Sequence, residues 1–309
     1  MLRFYDNRTE RRSHQNRKSK LNKFSKNQIN KTMAISAADV NKLRQMTGSG
    51  MMDCKKALTE AGGDFEAAID ILRKAGQKVA AKRADNDTNE GTVLIAISAD
   101  GTNGKLVALA CETEPVSKVP DFTNLANALL ASSVANNVAD KDALLASTLA
   151  DGRVAQEAMI ELTGKIGEKI NVAGYENVTA EKVVSYIHSN NKIGVLVAFT
   201  NIQGIDVQEV GRDIAMQITA MKPVALDKGD VDSVTIEREI EIGRDQARQE
   251  GKPEAMLDKI ATGRLEKFYK ESTLLNQQFV KDGSINIKQL LEQTQKGLTI
   301  SSFKRIALV

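Results

Sequence analysis

Two hairpin signatures constrain this chain more than any other feature. The runs "TVLIAIS" (92–98) and "KLVALACE" (105–112) flank Asp100-Gly101-Thr102-Asn103-Gly104, and "KVVSYIH" (182–188) and "KIGVLVAFT" (192–200) flank Ser189-Asn190-Asn191. Apolar, β-branched runs joined through Gly, Asn and Asp read as antiparallel strands closed by short turns. Helical spacing follows each hairpin, at 121–138 and 153–170 after the first and at 206–221 after the second. Laying Lys105-Leu-Val-Ala-Leu on Lys192-Ile-Gly-Val-Leu makes the two halves a repeat. The sequence therefore predicts an α+β fold whose core has two related hairpin-plus-helix subdomains with antiparallel strands. A strand-like pattern from Leu298, "LTISSFKRIALV", returns to the second sheet.

Helical signals precede the first hairpin. Ser36-x-x-Asp39 has the form of a capping box. Gly48 stops the helix it opens, 51–61 is a second helix ended by Gly62-Gly63, and Asp64 caps a third whose Phe65, Ala68, Ile69 and Leu72 share a face. Three short helices form a module of marginal size, and "KRADNDTNE" (82–90) reads as a linker. A different element interrupts the second subdomain. Segments 235–250 and 253–270 are charged helices with apolar Ile236, Ile240 and Ile242, then Met256, Ile260, Leu265 and Phe268, joined by Gly251-Lys252-Pro253. Glycine ends one helix and proline suits the first turn of the next, so an inserted antiparallel helical hairpin is expected. Its thin apolar seam suggests an arm projecting from the body, with an outer face open to a partner or to a second copy of itself.

The stretch "LRQMTGSGMMDCKKAL" (43–58) places a glycine turn before a helix, where unpaired N–H groups can bind anions. The nucleotide reading fails on spacing. Asp53 stands where G-x-G-x-x-G requires a third small residue, Val40, Leu43 and Met46/Thr47 recur at helical rather than strand spacing, and no segment has the P-loop pattern. The turn joins two helices. Cys54 and Cys111 make no disulfide framework and, with His14 and His188, no convincing four-ligand metal set. No nucleophile motif accompanies His188, so neither an enzyme nor a cofactor is expected.

Charge is distributed unevenly. Residues 1–32 hold ten of the 43 Lys and Arg residues but two of the 40 Asp and Glu, leaving the body net negative. This polar tail reads as disordered. A ribosome- or RNA-associated role acting through it is the alternative function, and it predicts steep loss of affinity with salt. Aromatics at 4%, with no Trp, disfavour single-strand stacking elsewhere. No apolar run approaches a membrane span, and the low cysteine content fits a reducing cytoplasm.

Protein docking remains. Adjacent residues sit about 100° apart on a helix, so Met51 and Met52 cannot both face a core of three short helices. One belongs to the core, and the other is a deformable docking residue beside Arg44 and Lys55. "CETEPVSK" (111–118) leaves the first hairpin through a proline-stiffened turn, and His188 ends a strand beside Ser189-Asn190-Asn191.

The stretches "LRQMTGSGMMDCKKALTEAGGDFEAAIDILRKAG", "SYIHSNNKIGVLVAF", Gly251-Lys252-Pro253 and Gly263-Arg264-Leu265-Glu266-Lys267-Phe268 resemble the elongation factor Ts family. The resemblance extends from Met33 almost throughout. It implies a guanine-nucleotide exchange factor for elongation factor Tu, bound to GDP or nucleotide-free, that weakens the magnesium–phosphate site. It also implies a ubiquitin-associated-like three-helix module (33–82), core subdomains at 83–180 and at 181–230 with 270–309, and a coiled-coil hairpin at 231–269. A homodimer of heterodimers is an assembly that the hairpin allows. By this similarity Arg44, Met51, Met52 and Lys55 contact the partner's nucleotide-binding domain, and His188, Phe279 and Val280 belong to the core's contact surface. The family usually has Thr-Asp-Phe-Val where this chain has Thr113-Glu114-Pro115-Val116, so the aromatic wedge of that turn is replaced.

Overall fold

The computed structural model describes residues 35–308, and the basic tail read at 1–32 lies outside the described residues. The chain divides between Lys78 and Val79 into two units. In the first, Ser36 opens α1 (Ala37–Thr47) with a reciprocal capping box: Ser36 Oγ accepts from Asp39 N at 3.1 Å, and the Asp39 carboxylate accepts from Ser36 N at 3.2 Å. Such caps contribute about 1 kcal/mol. Gly48, at φ 66°, closes α1 and α2 (Met51–Glu60) follows. Asp64 caps the start of α3 (Phe65–Lys82), accepting from Ala67 N at 3.1 Å. Val40, Leu43, Cys54, Ala57, Leu58 and Ala68 are the buried core, with Phe65, Ile69 and Leu72 packed around it.

The second unit holds two three-stranded antiparallel sheets. One has the order β1 (Glu90–Ile97), β2 (Asn103–Cys111), β3 (Asn171–Thr179). Between its last two strands come α4 (Glu114–Ser117), α5 (Pro120–Ala135), α6 (Lys141–Ala146) and α7 (Ala155–Ile166). The other sheet contains β4 (Lys182–Ile187) and β5 (Ile193–Thr200). The chain then passes through α8 (Gln208–Met221), α9 (Ser233–Gln249), α10 (Leu257–Ser272), the small ladder β6 (Gln278–Phe279) with β7 (Asp282–Asn286), and α11 (Ile287–Thr294). Finally β8 (Thr299–Ala307) pairs with β5. The fold is mixed α+β, as expected.

Side-chain alternation explains why the central strands read as unbroken apolar runs. Val107, Leu109 and Cys111 face α5 and α7 in one core, and Val195, Val197 and Phe199 face α8 and α11 in another. The opposite faces, Leu106, Ala108 and Ala110 on β2 and Leu196 and Ala198 on β5, meet each other in a third. With a period of two, a strand must be apolar at every position when both of its faces are covered.

The contacts between sheets are reciprocal. A Cβ on Gly104 would lie 2.8 Å from Val183 and 3.1 Å from Leu196, and one on Gly194 would lie 2.5 Å from Val93 and 3.0 Å from Leu106. Val93 N donates to Asn191 O at 2.7 Å and Val183 N to Gly101 O at 2.8 Å. Gly104-Lys105-Leu106-Val107-Ala108 therefore matches Gly194-Val195-Leu196-Val197-Ala198. This corrects the alignment of Lys105 on Lys192, which places residues of opposite faces together.

Three further expectations change. Strand β3 escapes notice in the sequence because a register shift opposite Ala108 and Leu109 puts Val172 and Tyr175 on one face three residues apart, while Val178 turns to the other face and joins the third core. The presumed linker is anchored: Glu112 accepts from Arg83 at 2.8 Å and Asn86 at 3.0 Å. In the helical hairpin the buried residues are Gly243, Ala247, Leu257 and Ala261, whereas Ile242 and Met256 are exposed. A Cβ on Gly243 would lie 3.2 Å from Ala261 Cα, so close approach of small residues completes a seam to which Ile236, Ile240, Ile260, Leu265 and Phe268 contribute half-buried side chains. Arg244–Asp258 at 2.8 Å and Arg264–Glu250 at 2.7 Å cross between these antiparallel helices.

Candidate functional site

The glycine turn of the first unit is fixed from inside. Thr47 Oγ1 donates to Leu43 O at 2.8 Å, Ser49 N donates to Thr47 Oγ1 at 3.3 Å, and the buried Cys54 thiol reaches Ser49 O at 3.7 Å. Cys54, Ala57 and Leu58 supply the inward face of α2. Met51 and Met52 are consequently 53% and 75% exposed, which corrects the assignment of one of them to the core. Arg44 and Lys55 are exposed as well. Met46, expected on the apolar stripe of α1, is 55% exposed and adds a third methionine. Its spacing from Leu43 concealed this, because the core ends one turn earlier.

In the second unit the 113–116 segment divides. Thr113 donates through its backbone N–H at 3.0 Å and its hydroxyl at 2.7 Å to Glu168. Pro115 is exposed in the first turn of α4, while Val116 is buried in the first core. Val116 therefore anchors the turn, and Thr113, Glu114 and Pro115 face solvent. Lys118 bonds Glu114 at 2.6 Å and holds its carboxyl below the usual range. Behind the turn, burial first and then the charges of Glu168 and Glu90 push the Cys111 thiol up to about 12.

His188 follows β4, and its Nδ1 lies 3.1 Å from the Tyr186 hydroxyl. Its turn docks on the first sheet through the Val93–Asn191 hydrogen bond and a Lys192–Glu90 ion pair at 2.7 Å. Glu90 pairs with Cys111 in the β1–β2 register, and the charge of Lys192 also lowers the Glu114 carboxyl. The fold thus brings the 113–115 turn and the 188–192 turn to the same end of the paired sheets. Phe279 and Val280 divide as Val116 and Pro115 do. Phe279 is buried in the second core, and Val280 is 53% exposed.

Among the described residues, no group of three or more His, Cys, Asp or Glu side chains is placed to hold a metal ion, and no helix is long and apolar enough to cross a membrane.

The family model described as Elongation factor TS matches residues 112–309. The protein named Elongation factor Ts from Cytophaga hutchinsonii is 66% identical over 274 residues, 89% of this chain and 99% of its own length. Its namesakes from Amoebophilus asiaticus and Christiangramia forsetii are 50% and 45% identical over 89% of this chain, covering 99% and 98% of their own lengths.

Proposed function

The chain belongs to the elongation factor Ts family, and from that premise we propose how its surfaces act. It is a guanine-nucleotide exchange factor of translation, a binding protein rather than an enzyme, and elongation factor Tu is the partner that the family implies. The first unit docks through Met51 and Met52, flanked by Arg44 and Lys55. The second engages through the Thr113-Glu114-Pro115 turn, His188 and Val280, with Val116 and Phe279 as the buried supports of those contacts. Within this reading, 33–82 is the ubiquitin-associated-like module, 83–180 and 181–230 with 270–309 are the core subdomains, and 231–269 is the coiled coil. The protein works in the cytoplasm.

The partner's Mg²⁺ bridges phosphate oxygens and demands near-ideal geometry. A surface that binds the distorted, magnesium-poor state better than the intact one expels the nucleotide. Raising release 10⁴-fold requires about 5.5 kcal/mol of differential binding, which several contacts supply and one side chain does not. With the phenylalanine of the family turn replaced by Pro115, the exposed methionines and His188 carry more of that difference. The observation that carries this reading is the outward placement of both Met51 and Met52 on one helical turn. Release of a fluorescent GDP analogue from elongation factor Tu, with and without this protein, tests it: acceleration is expected, and an unchanged rate refutes the proposal.

A further inference from the structure

Val280 cannot be held in place by its own ladder. The β6–β7 register runs through Gln278 and Phe279, shifts between them, and leaves Val280 beyond its end. An N–H left without an acceptor when buried costs about 1–3 kcal/mol. The acceptor comes from another element: Gln217 of α8, fully buried, takes Val280 N at 2.9 Å through Oε1. Its Nε2 donates to Gln278 O at 3.0 Å and to Gln277 Oε1 at 3.2 Å. Gln277, also buried, donates onward to Glu271 O at 2.9 Å near the end of α10. One helical turn before Gln217, Asp213 pairs with Lys281 at 2.7 Å. One face of α8 therefore grips residues 278, 280 and 281, and a chain of amides ties that grip to the base of the helical hairpin.

We propose that Gln217 is a positioning residue for nucleotide exchange, holding Val280 at the docking surface with its side chain outward. The proposal rests on the reading of Val280 as a contact for elongation factor Tu. A buried glutamine whose amide is satisfied at both ends is otherwise an expensive way to fill a core, because an apolar side chain of the same length needs no partners. Its acceptor and donor fall on the two peptide groups that flank Phe279, which fixes the strand end while leaving Val280 free.

The test uses the full chain with Gln217→Met, Val280→Ala and the double variant. Each is titrated against elongation factor Tu loaded with fluorescent GDP. For Gln217→Met, the concentration giving half-maximal release should rise about tenfold while the maximal rate stays within about twofold, because the lost property is docking. Val280→Ala alone should cost about fivefold, and on the Gln217→Met background less than about twofold, the non-additivity of residues that act through one another. In the unaltered protein the Val280 amide should exchange with solvent as slowly as core amides. This measurement stands even if Gln217→Met fails to fold. A half-maximal concentration unchanged in Gln217→Met, fully additive effects, or a freely exchanging Val280 amide would each overturn the proposal. An unaltered protein that leaves GDP release unchanged would overturn the functional reading, and this inference with it, a result distinct from an active protein indifferent to Gln217.

Discussion

At the scale of single residues, the exposed methionines and the buried valine make opposite predictions. Met51→Ala and Met52→Ala should each weaken binding to elongation factor Tu by about 1–2 kcal/mol, with melting temperature nearly unchanged since neither side chain is buried. Calorimetry on the folded variants measures this. Around Pro115 the roles separate. Val116→Ala removes buried methyl groups and should cost about 1–2 kcal/mol of stability, whereas Pro115→Gly should slow GDP release about tenfold or less, equivalent to about 1.4 kcal/mol. Stopped-flow release and urea melts distinguish them. The sequence located these positions but could not sort them, because which of two neighbours turns inward depends on where the core ends. Lys105 shows the same limit. It opens the run "KLVALACE" as a charged residue, yet it is 3% exposed, with its ammonium on Asn137 Oδ1 and Val138 O. Tyr175 and Asn177 also donate to that carbonyl, so Lys105→Met leaves it satisfied. Burial lowers the folded-state pKa of Lys105 below its ordinary 10.5. The unfolded chain then binds more protons between the two values, and this residue's destabilising contribution, full below the folded pKa, disappears as pH rises toward 10.5. The stability advantage of Lys105→Met should accordingly shrink from pH 7 to pH 10 in paired urea melts.

At the scale of elements, the glycines between sheets matter more than the turn glycines that first attract the eye. Gly194→Val would drive a branched side chain into Val93 and Leu106. Overpacking of this kind costs typically about 1–3 kcal/mol, and Gly104→Val should behave alike because its surroundings are equivalent. Denaturant midpoints of the two variants check the equivalence directly. Capping residues, turn glycines and apolar runs announced the helices and hairpins, since each is a local signal. The pairing of one hairpin with the other was not legible in that way. Lys105 and Lys192 attract an alignment by chemical identity, but facing depends on parity along the strand, and parity is visible only once Gly104 and Gly194 are seen in equivalent places. The helical hairpin hid its contact for a similar reason. Glycine and alanine carry little hydropathy, yet they let two helix backbones approach where Ile242 and Met256 would hold them apart.

At the scale of the whole molecule, charge and topology set the expectations. Removing residues 1–32 takes away most of the local positive excess, so the truncated protein should keep its exchange rate within about twofold at moderate salt, the tail serving no docking contact in this reading. A larger loss, measured by the same GDP-release assay, would assign the tail a part in docking. The mutual covering of the two sheets has a consequence for how the protein is made. Leu106, Ala108 and Ala110 leave the ribosome long before Leu196, Ala198 and Leu308, which cover them. At about 5–20 residues per second, synthesis of the roughly ninety residues that separate Ala108 from Ala198 takes on the order of five to twenty seconds. Throughout that interval the nascent first sheet presents one greasy face with nothing native to close it, and it is then a natural client for chaperones.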